Sequence, residues 1–278
     1  MTLTVQPAAE LPLLTLCELI NSSFKGYVAG DFHFTLPTLT GFMTPADVNL
    51  SRSLVALQEG EPAGIAMLAR RGWTVRIALM GVAEGFQNQG VGRWLLGQVI
   101  DAAKAVGDKS LVLEVIEQNP RAVHLYESCG FTKAQRLMGF DYKTSGEGQP
   151  IAGTPHDRID ILEVARHVAA WESPDLPWQF SGITLAKSGP PSVAYHVDGC
   201  YAVCSNPEAE TITLQGLAVP PERQRKGVAT RLVADLVVAH PGKHWRVPPI
   251  CPEKYAPIFL NNGFSPNPLT QFQMELRL

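Results

Sequence analysis

Residues 74–82 are rich in β-branched and apolar side chains, which predicts a strand, and residues 211–219 do likewise. Behind each lies a short polar stretch with glycine in it. The first is Gln87-Asn88-Gln89-Gly90-Val91-Gly92 and the second Gln224-Arg225-Lys226-Gly227-Val228-Ala229, 137 positions later. Apolar residues then recur at helical spacing: Val91, Leu95, Leu96, Val99 and Ile100 are matched by Val228, Leu232, Val233, Leu236 and Val237. The chain is therefore a tandem repeat of strand, loop and helix.

The same pattern extends to the rest of the chain. A first helix is predicted over residues 11–21, then an aromatic-rich connection, then strands over 53–58 and 63–70 joined at the turn Glu59-Gly60-Glu61-Pro62. After the first loop helix come a strand over 110–116, a helix carrying Tyr126 and a strand near 137–142. Residues 144–155 are rich in Gly, Pro and Ser and read as a linker. They divide a domain at 1–143 from one at 156–278, each of ordinary domain size. In the second, a helix over 159–171, a hairpin of 192–197 with 201–204 about Asp198-Gly199, and a closing strand over 271–278 are predicted. The expected fold class is α/β, an α+β mixed sheet in each of two like domains.

A loop between a strand and a helix has a chemical use. First-turn backbone N–H groups lack intrahelical partners and point out at the positive end of the helix dipole, so they can receive a phosphate. Glycine at 90, 92 and 227 removes the Cβ that would hold a ligand off, and Ala229 is the next smallest choice. Neither the P-loop pattern nor the dinucleotide G-x-G-x-x-G is present at these places.

This Q/R-x-x-G-x-G/A arrangement resembles the acyl-CoA pyrophosphate loop of the GNAT superfamily of N-acetyltransferases. Downstream, Asn119-Pro120-Arg121-Ala122-Val123-His124-Leu125-Tyr126-Glu127-Ser128-Cys129-Gly130-Phe131 is similar to that family's N-x-x-A-x-x-x-Y-x-x-x-G-F segment. Asn followed by Pro is also good helix-start chemistry, and Gly130 a left-handed stop. The resemblance implies a tandem pair of GNAT-like domains and acetyl-CoA as co-substrate, with no metal. It implies that Val82, Gln87, Asn88, Gln89, Gly90, Val91, Gly92, Arg93 and Asn119 bind the cofactor in the first half. In the second half it points to Gln224, Arg225, Lys226, Gly227, Val228 and Ala229. Tyr126 would be the acid: a phenol is protonated at neutral pH and can give its proton to the departing CoA thiolate. An attacking amine must be neutral, so a base or water chain is needed, and Glu84 and Glu114 are the candidates.

The second half departs from the motif. In Pro252-Glu253-Lys254-Tyr255-Ala256-Pro257-Ile258-Phe259-Leu260-Asn261-Asn262-Gly263-Phe264, Phe259 stands at the tyrosine position, Pro252 at the asparagine position and Tyr255 at the alanine position. Its loop is more basic, with Arg223, Arg225, Lys226 and Arg231. The first half is thus expected to carry the chemistry and the second to be degenerate.

Composition narrows the class further. No stretch of eighteen apolar residues exists, so no membrane span is expected, and a formal charge of −3 offers no general attraction for nucleic acid. The N-terminus lacks the charged start of a signal peptide, which points to the cytoplasm. Five cysteines, an odd number in a chain of this length, read as free thiols, and Cys200-x-x-x-Cys204 lacks the companions of a metal site. The aromatics Phe24, Tyr27, Phe32, Phe34 and Phe42 are candidates to line an acceptor cleft. A small-molecule amine, a peptide or protein amine, and a mycothiol-like precursor amine stay open as acceptor. A CoA-binding sensor or scaffold without turnover is the competing class.

Overall fold

The computed structural model describes residues 2–30, 33–143 and 157–278. In chain order the elements are β1 (Leu3–Pro7), α1 (Leu13–Ser23), α2 (Leu36–Ala46), β2 (Leu54–Gln58), β3 (Glu61–Arg71), β4 (Thr74–Val82), α3 (Val91–Ala105), β5 (Ser110–Ile116), α4 (Pro120–Ser128) and β6 (Thr132–Lys143). They continue with β7 (Asp157–Ile159), α5 (Ile161–Trp171), α6 (Gly182–Leu185), β8 (Val193–Val197), β9 (Cys200–Cys204), β10 (Thr211–Ala218), α7 (Val228–Ala239), β11 (His244–Pro252), α8 (Ala256–Leu260), β12 (Ser265–Pro266) and β13 (Gln271–Arg277). β4 and β5 have the predicted bounds. α2 was hidden in the aromatic connection: it contains Gly41 and Pro45, poor helix formers, and is started by Pro37 and a capping box between Thr35 and Thr38.

The chain forms two compact units, one of Met1–Gln135 with Phe272–Leu278, the other of Arg136–Gln271. The first has the strand order β1-β2-β3-β4-β5-β13. Its pairs from β1 to β4 are antiparallel and β4 runs parallel to β5. The second has the order β6-β11-β10-β9-β8-β7, with β10 parallel to β11 and the other pairs antiparallel.

This partition differs from a division at residue 143. Residues 137–143 pair with β11 in the second unit, whereas β13, at the end of the sequence, puts Met274 into the first unit's core at 0% exposure. The residue pattern of a strand bears on which face is buried but not on which sheet the strand joins. The expected linker at 144–155 lies outside the described residues, as does Phe32.

One irregularity prepares both sites. Met67 and Leu68 of β3 face Leu79 and Ile77 of β4, so Ala78 is an extra residue in β4. In the second unit Cys204 and Val203 face Leu214 and Gly216, which makes Gln215 the extra residue in β10, again 137 positions after its counterpart. A β-bulge bends its strand away from the ladder. Accordingly β4 pairs with β5 only over Thr74–Ile77 and Ser110–Leu113, and β10 with β11 only over Thr211–Thr213 and His244–Arg246. Past the bulge each parallel pair is splayed.

Candidate active site

In the first unit the glycine loop follows the splayed end of β4. Gly90 has φ 85° and Asn88 φ 63°, a left-handed backbone that glycine and asparagine tolerate best. The loop's side chains hold the loop itself: Gln87 Nε2 donates to the Val82 carbonyl at 3.1 Å and Gln89 Nε2 to the Gly85 carbonyl at 2.9 Å. Asn88 Oδ1 accepts from Arg121 on α4, and Arg93 donates to Ser128 Oγ at 2.7 Å. With those side chains engaged, the anion-binding capacity lies in the backbone. Gly90 caps α3 without a side-chain acceptor, and a Cβ built on it would meet nothing within 4 Å, so the space over the first turn is open to a ligand.

Opposite the loop, Asn119 caps α4 through Oδ1, which accepts from the Ala122 N–H at 3.2 Å. Its side chain also hydrogen-bonds Tyr27, and Tyr27 is the group whose charge Tyr126 feels. Asn119, Tyr27 and Tyr126 are thereby brought together from the end of β5, the segment after α1, and α4. Tyr126 is 9% exposed and packs edge-on against Phe131. Burial, with a smaller contribution from Tyr27, pushes its hydroxyl well above the ordinary value of 10, so the phenol stays protonated. Burial also raises Tyr27, against a lowering by the Asn119 hydrogen bond.

The two carboxylates have different surroundings. Glu84 is exposed beside the loop and pairs with Lys25 at 2.9 Å. Glu114 is buried, with Arg76 Nη2 at 2.6 Å and Nε at 3.0 Å from Oε2; the two side chains are 5% and 6% exposed. This pair stands where β4 and β5 part. Of the candidate acceptor aromatics, Phe34 and Phe42 meet each other edge-on and pack on the core beside α1, as does Phe24, while Tyr27 reaches Asn119. Tyr27 is the side chain whose role the motif did not announce; no fixed spacing ties it to Asn119.

The second unit repeats the loop in detail. Gln224 Nε2 donates to the Val219 carbonyl at 3.0 Å, Arg225 has φ 59°, and Gly227, φ 73°, caps α7 with open space above it. Arg223 bonds Asp198 in the β8–β9 turn, Nη2 to Oδ2 at 2.6 Å, so its charge is partly matched. Arg225, Lys226 and Gly227 are exposed. This loop borders a cavity of about 840 Å³ that runs between the diverging strands β10 and β11 to Trp171 at the end of α5. Cys251 borders it too, but burial raises that thiol to about 12, so it is not a nucleophile at neutral pH. All five cysteines are free.

The fold and these loops define an α/β protein of two like units, each with a glycine-capped helix start at splayed parallel strands. Residues 16–131 match the family model described as Acetyltransferase (GNAT) family. It is 32% identical over 102 residues to streptothricin acetyltransferase of Streptomyces lavendulae, covering 36% of this chain and 54% of the relative. It is 39% identical over 70 residues to the [ribosomal protein bS18]-alanine N-acetyltransferase of Escherichia coli K12, covering 25% and 47%. The chain thus spans about half the length of these curated relatives. Over the whole chain, a tandem GNAT protein from the clavulanic acid biosynthesis pathway superposes with a TM-score of 0.65 at 17% identity, covering 99% of this chain and 98% of that one. A GCN5-related N-acetyltransferase from Sphaerobacter thermophilus gives 0.65 at 12% identity, covering 99% and 95%. Both are likenesses of fold. Among the described residues no helix is long and apolar enough to cross a membrane.

Proposed function

We propose that this chain moves an acetyl group from acetyl-CoA to a primary amine, and that the first unit does so. The observation that carries the reading is the convergence of Asn119, Tyr27 and a buried, protonated Tyr126 beside splayed strands and an open glycine cradle. The co-substrate supplies a thioester whose thiolate leaves when an amine adds to the carbonyl. The loop N–H groups of residues 88–92 hold its diphosphate, and Asn119 orients the arm that carries the sulfur. Tyr126 gives its proton to the leaving sulfur, a role its burial suits by keeping the hydroxyl neutral, and Tyr27 connects it toward solvent. Glu84, exposed and next to the loop, takes the amine proton through water. Glu114, held by two guanidinium N–H groups, orients β5 rather than moving protons.

The acceptor is a small-molecule amine or a peptide amine, since one relative is named for streptothricin and another for a protein alanine. The free thiols support the reading of a cytoplasmic reaction. The test is release of CoA thiol from acetyl-CoA with streptothricin and with a peptide beginning in alanine. Tyr126→Phe is expected to lower kcat by about 10²–10⁴ with acetyl-CoA affinity retained, while Gly90→Val in a folded chain removes binding at this loop. Unchanged kcat in Tyr126→Phe, with chemistry limiting, sinks the acid role.

A further inference from the structure

Phe259 cannot donate a proton, and on that ground the second unit reads as degenerate; its cavity argues otherwise. Past the bulge at Gln215 the floor opens between β10 and β11, the loop residues Gln224, Arg225 and Gly227 border one end, and Trp171, Leu176 and Phe180 wall the other. At about 840 Å³ it lies within the roughly 300–1,000 Å³ of small-molecule sites. Tyr255 lines it, as does Phe259 four residues on. Residues four apart in a helical turn stack on one face, so the Tyr255 ring sits one turn before the position where the first unit has Tyr126. The bulk of Tyr255 does not close the cleft. Asn262 Nδ2 donates to the Thr230 carbonyl at 2.9 Å, tying the end of α8 to the first turn of α7 and so fixing these rings relative to the loop.

We propose that the second unit holds a second acyl-CoA-dependent transfer site in which the Tyr255 hydroxyl is the proton donor. This rests on the reading of the chain as an acetyl-CoA-dependent transferase. The amine nitrogen forms a bond to the thioester carbonyl carbon, the C–S bond breaks, and the sulfur takes the Tyr255 proton. The amine's surplus proton passes to water, and water returns one to the phenolate. Lys254 stands ready for that transient charge: its Nζ lies 5.1 Å from the Tyr255 ring centroid, while Asp175 at 2.6 Å holds the ammonium in place. The far wall of Trp171, Leu176 and Phe180 is apolar, so the acceptor this site takes is an amine on an apolar body.

The test uses the full chain and acetyl-CoA itself. Calorimetry is expected to find two equivalents bound per chain, one lost in Gly227→Val and the other in Gly90→Val. The double change Arg225→Glu with Lys226→Glu, on exposed side chains, serves if Gly227→Val does not fold, and should weaken the second site alone. In the Gly90→Val chain, thiol release with 2-phenylethylamine, a primary amine on an apolar body, should then fall about 10²–10⁴-fold on adding Tyr255→Phe, with the remaining equivalent still bound. A single equivalent lost with Gly90→Val overturns the second site and leaves the first-unit reading intact. Two equivalents with no release from the Gly90→Val chain, or with release that Tyr255→Phe leaves unchanged, overturns the role of Tyr255. A chain that binds no acetyl-CoA overturns both readings together.

Discussion

Glu114→Gln separates a structural carboxylate from a catalytic one. In the folded chain Glu114 accepts from Arg76 Nη2 at 2.6 Å and Nε at 3.0 Å, and the two side chains are 5% and 6% exposed. Removing one member of such a pair leaves the other charge buried without compensation, which costs about 3–5 kcal/mol. At about 2–4 °C per kcal/mol, the first unit should melt roughly 6–20 °C lower. Replacing both members, Arg76→Met with Glu114→Leu, should recover most of that loss, since a well-packed apolar pair stands in for a buried ion pair at little cost. Differential scanning calorimetry and urea titration of the two singles and the double close the cycle, and thiol release is measured where each protein is folded. Structure predicts lost stability with kcat changed by less than about tenfold. A Tm within about 2 °C of the parent, combined with a drop of 10²–10⁴ in kcat, is the signature of a base and would refute the assignment of Glu114 to the strand pair.

Removing Phe272–Leu278 takes β13 and the fully buried Met274 from the first unit's core; the chain should lose the first unit's melting transition, and circular dichroism showing both transitions intact would contradict the strand's placement. Tyr126 has a folded value raised above its unfolded 10, so its contribution to stability is complete below pH 10 and is lost as pH rises beyond it. Urea midpoints should therefore fall less between pH 9 and pH 11 in Tyr126→Phe than in the parent, and equal falls would show that the phenol is not buried. Asp175 is held below its ordinary value, first by the Lys254 hydrogen bond and then by Ser173, so its contribution is present above the unfolded value near 3.8 and is lost as pH falls through the folded one. Lys254→Met should flatten that acid limb by less than about 1 kcal/mol, because the pair is half exposed, and a larger loss at neutral pH would mean the lysine does more than pair.

Local chemistry determined much of this protein directly from the sequence. The offset of 137 between the loops, the helical spacing behind them and the asparagine cap with proline after it each depend on neighbours a few residues apart, and the folded chain shows them as β4, α3 and α4 and their counterparts β10 and α7. Even the bulges at Ala78 and Gln215 keep the same offset, although nothing in either side chain announces them. Only the tertiary structure decided which sheet each closing strand joins, because the residue pattern of 137–142 and 271–277 marks them as strands and is silent on the partner. It likewise decided that Glu114 meets Arg76, that Tyr27 meets Asn119, and that Tyr255 looks into a cavity rather than filling it. Each of those depends on residues from separate elements, whose approach is set by how apolar faces pack and where bulged strands part, information that no single window of the chain contains.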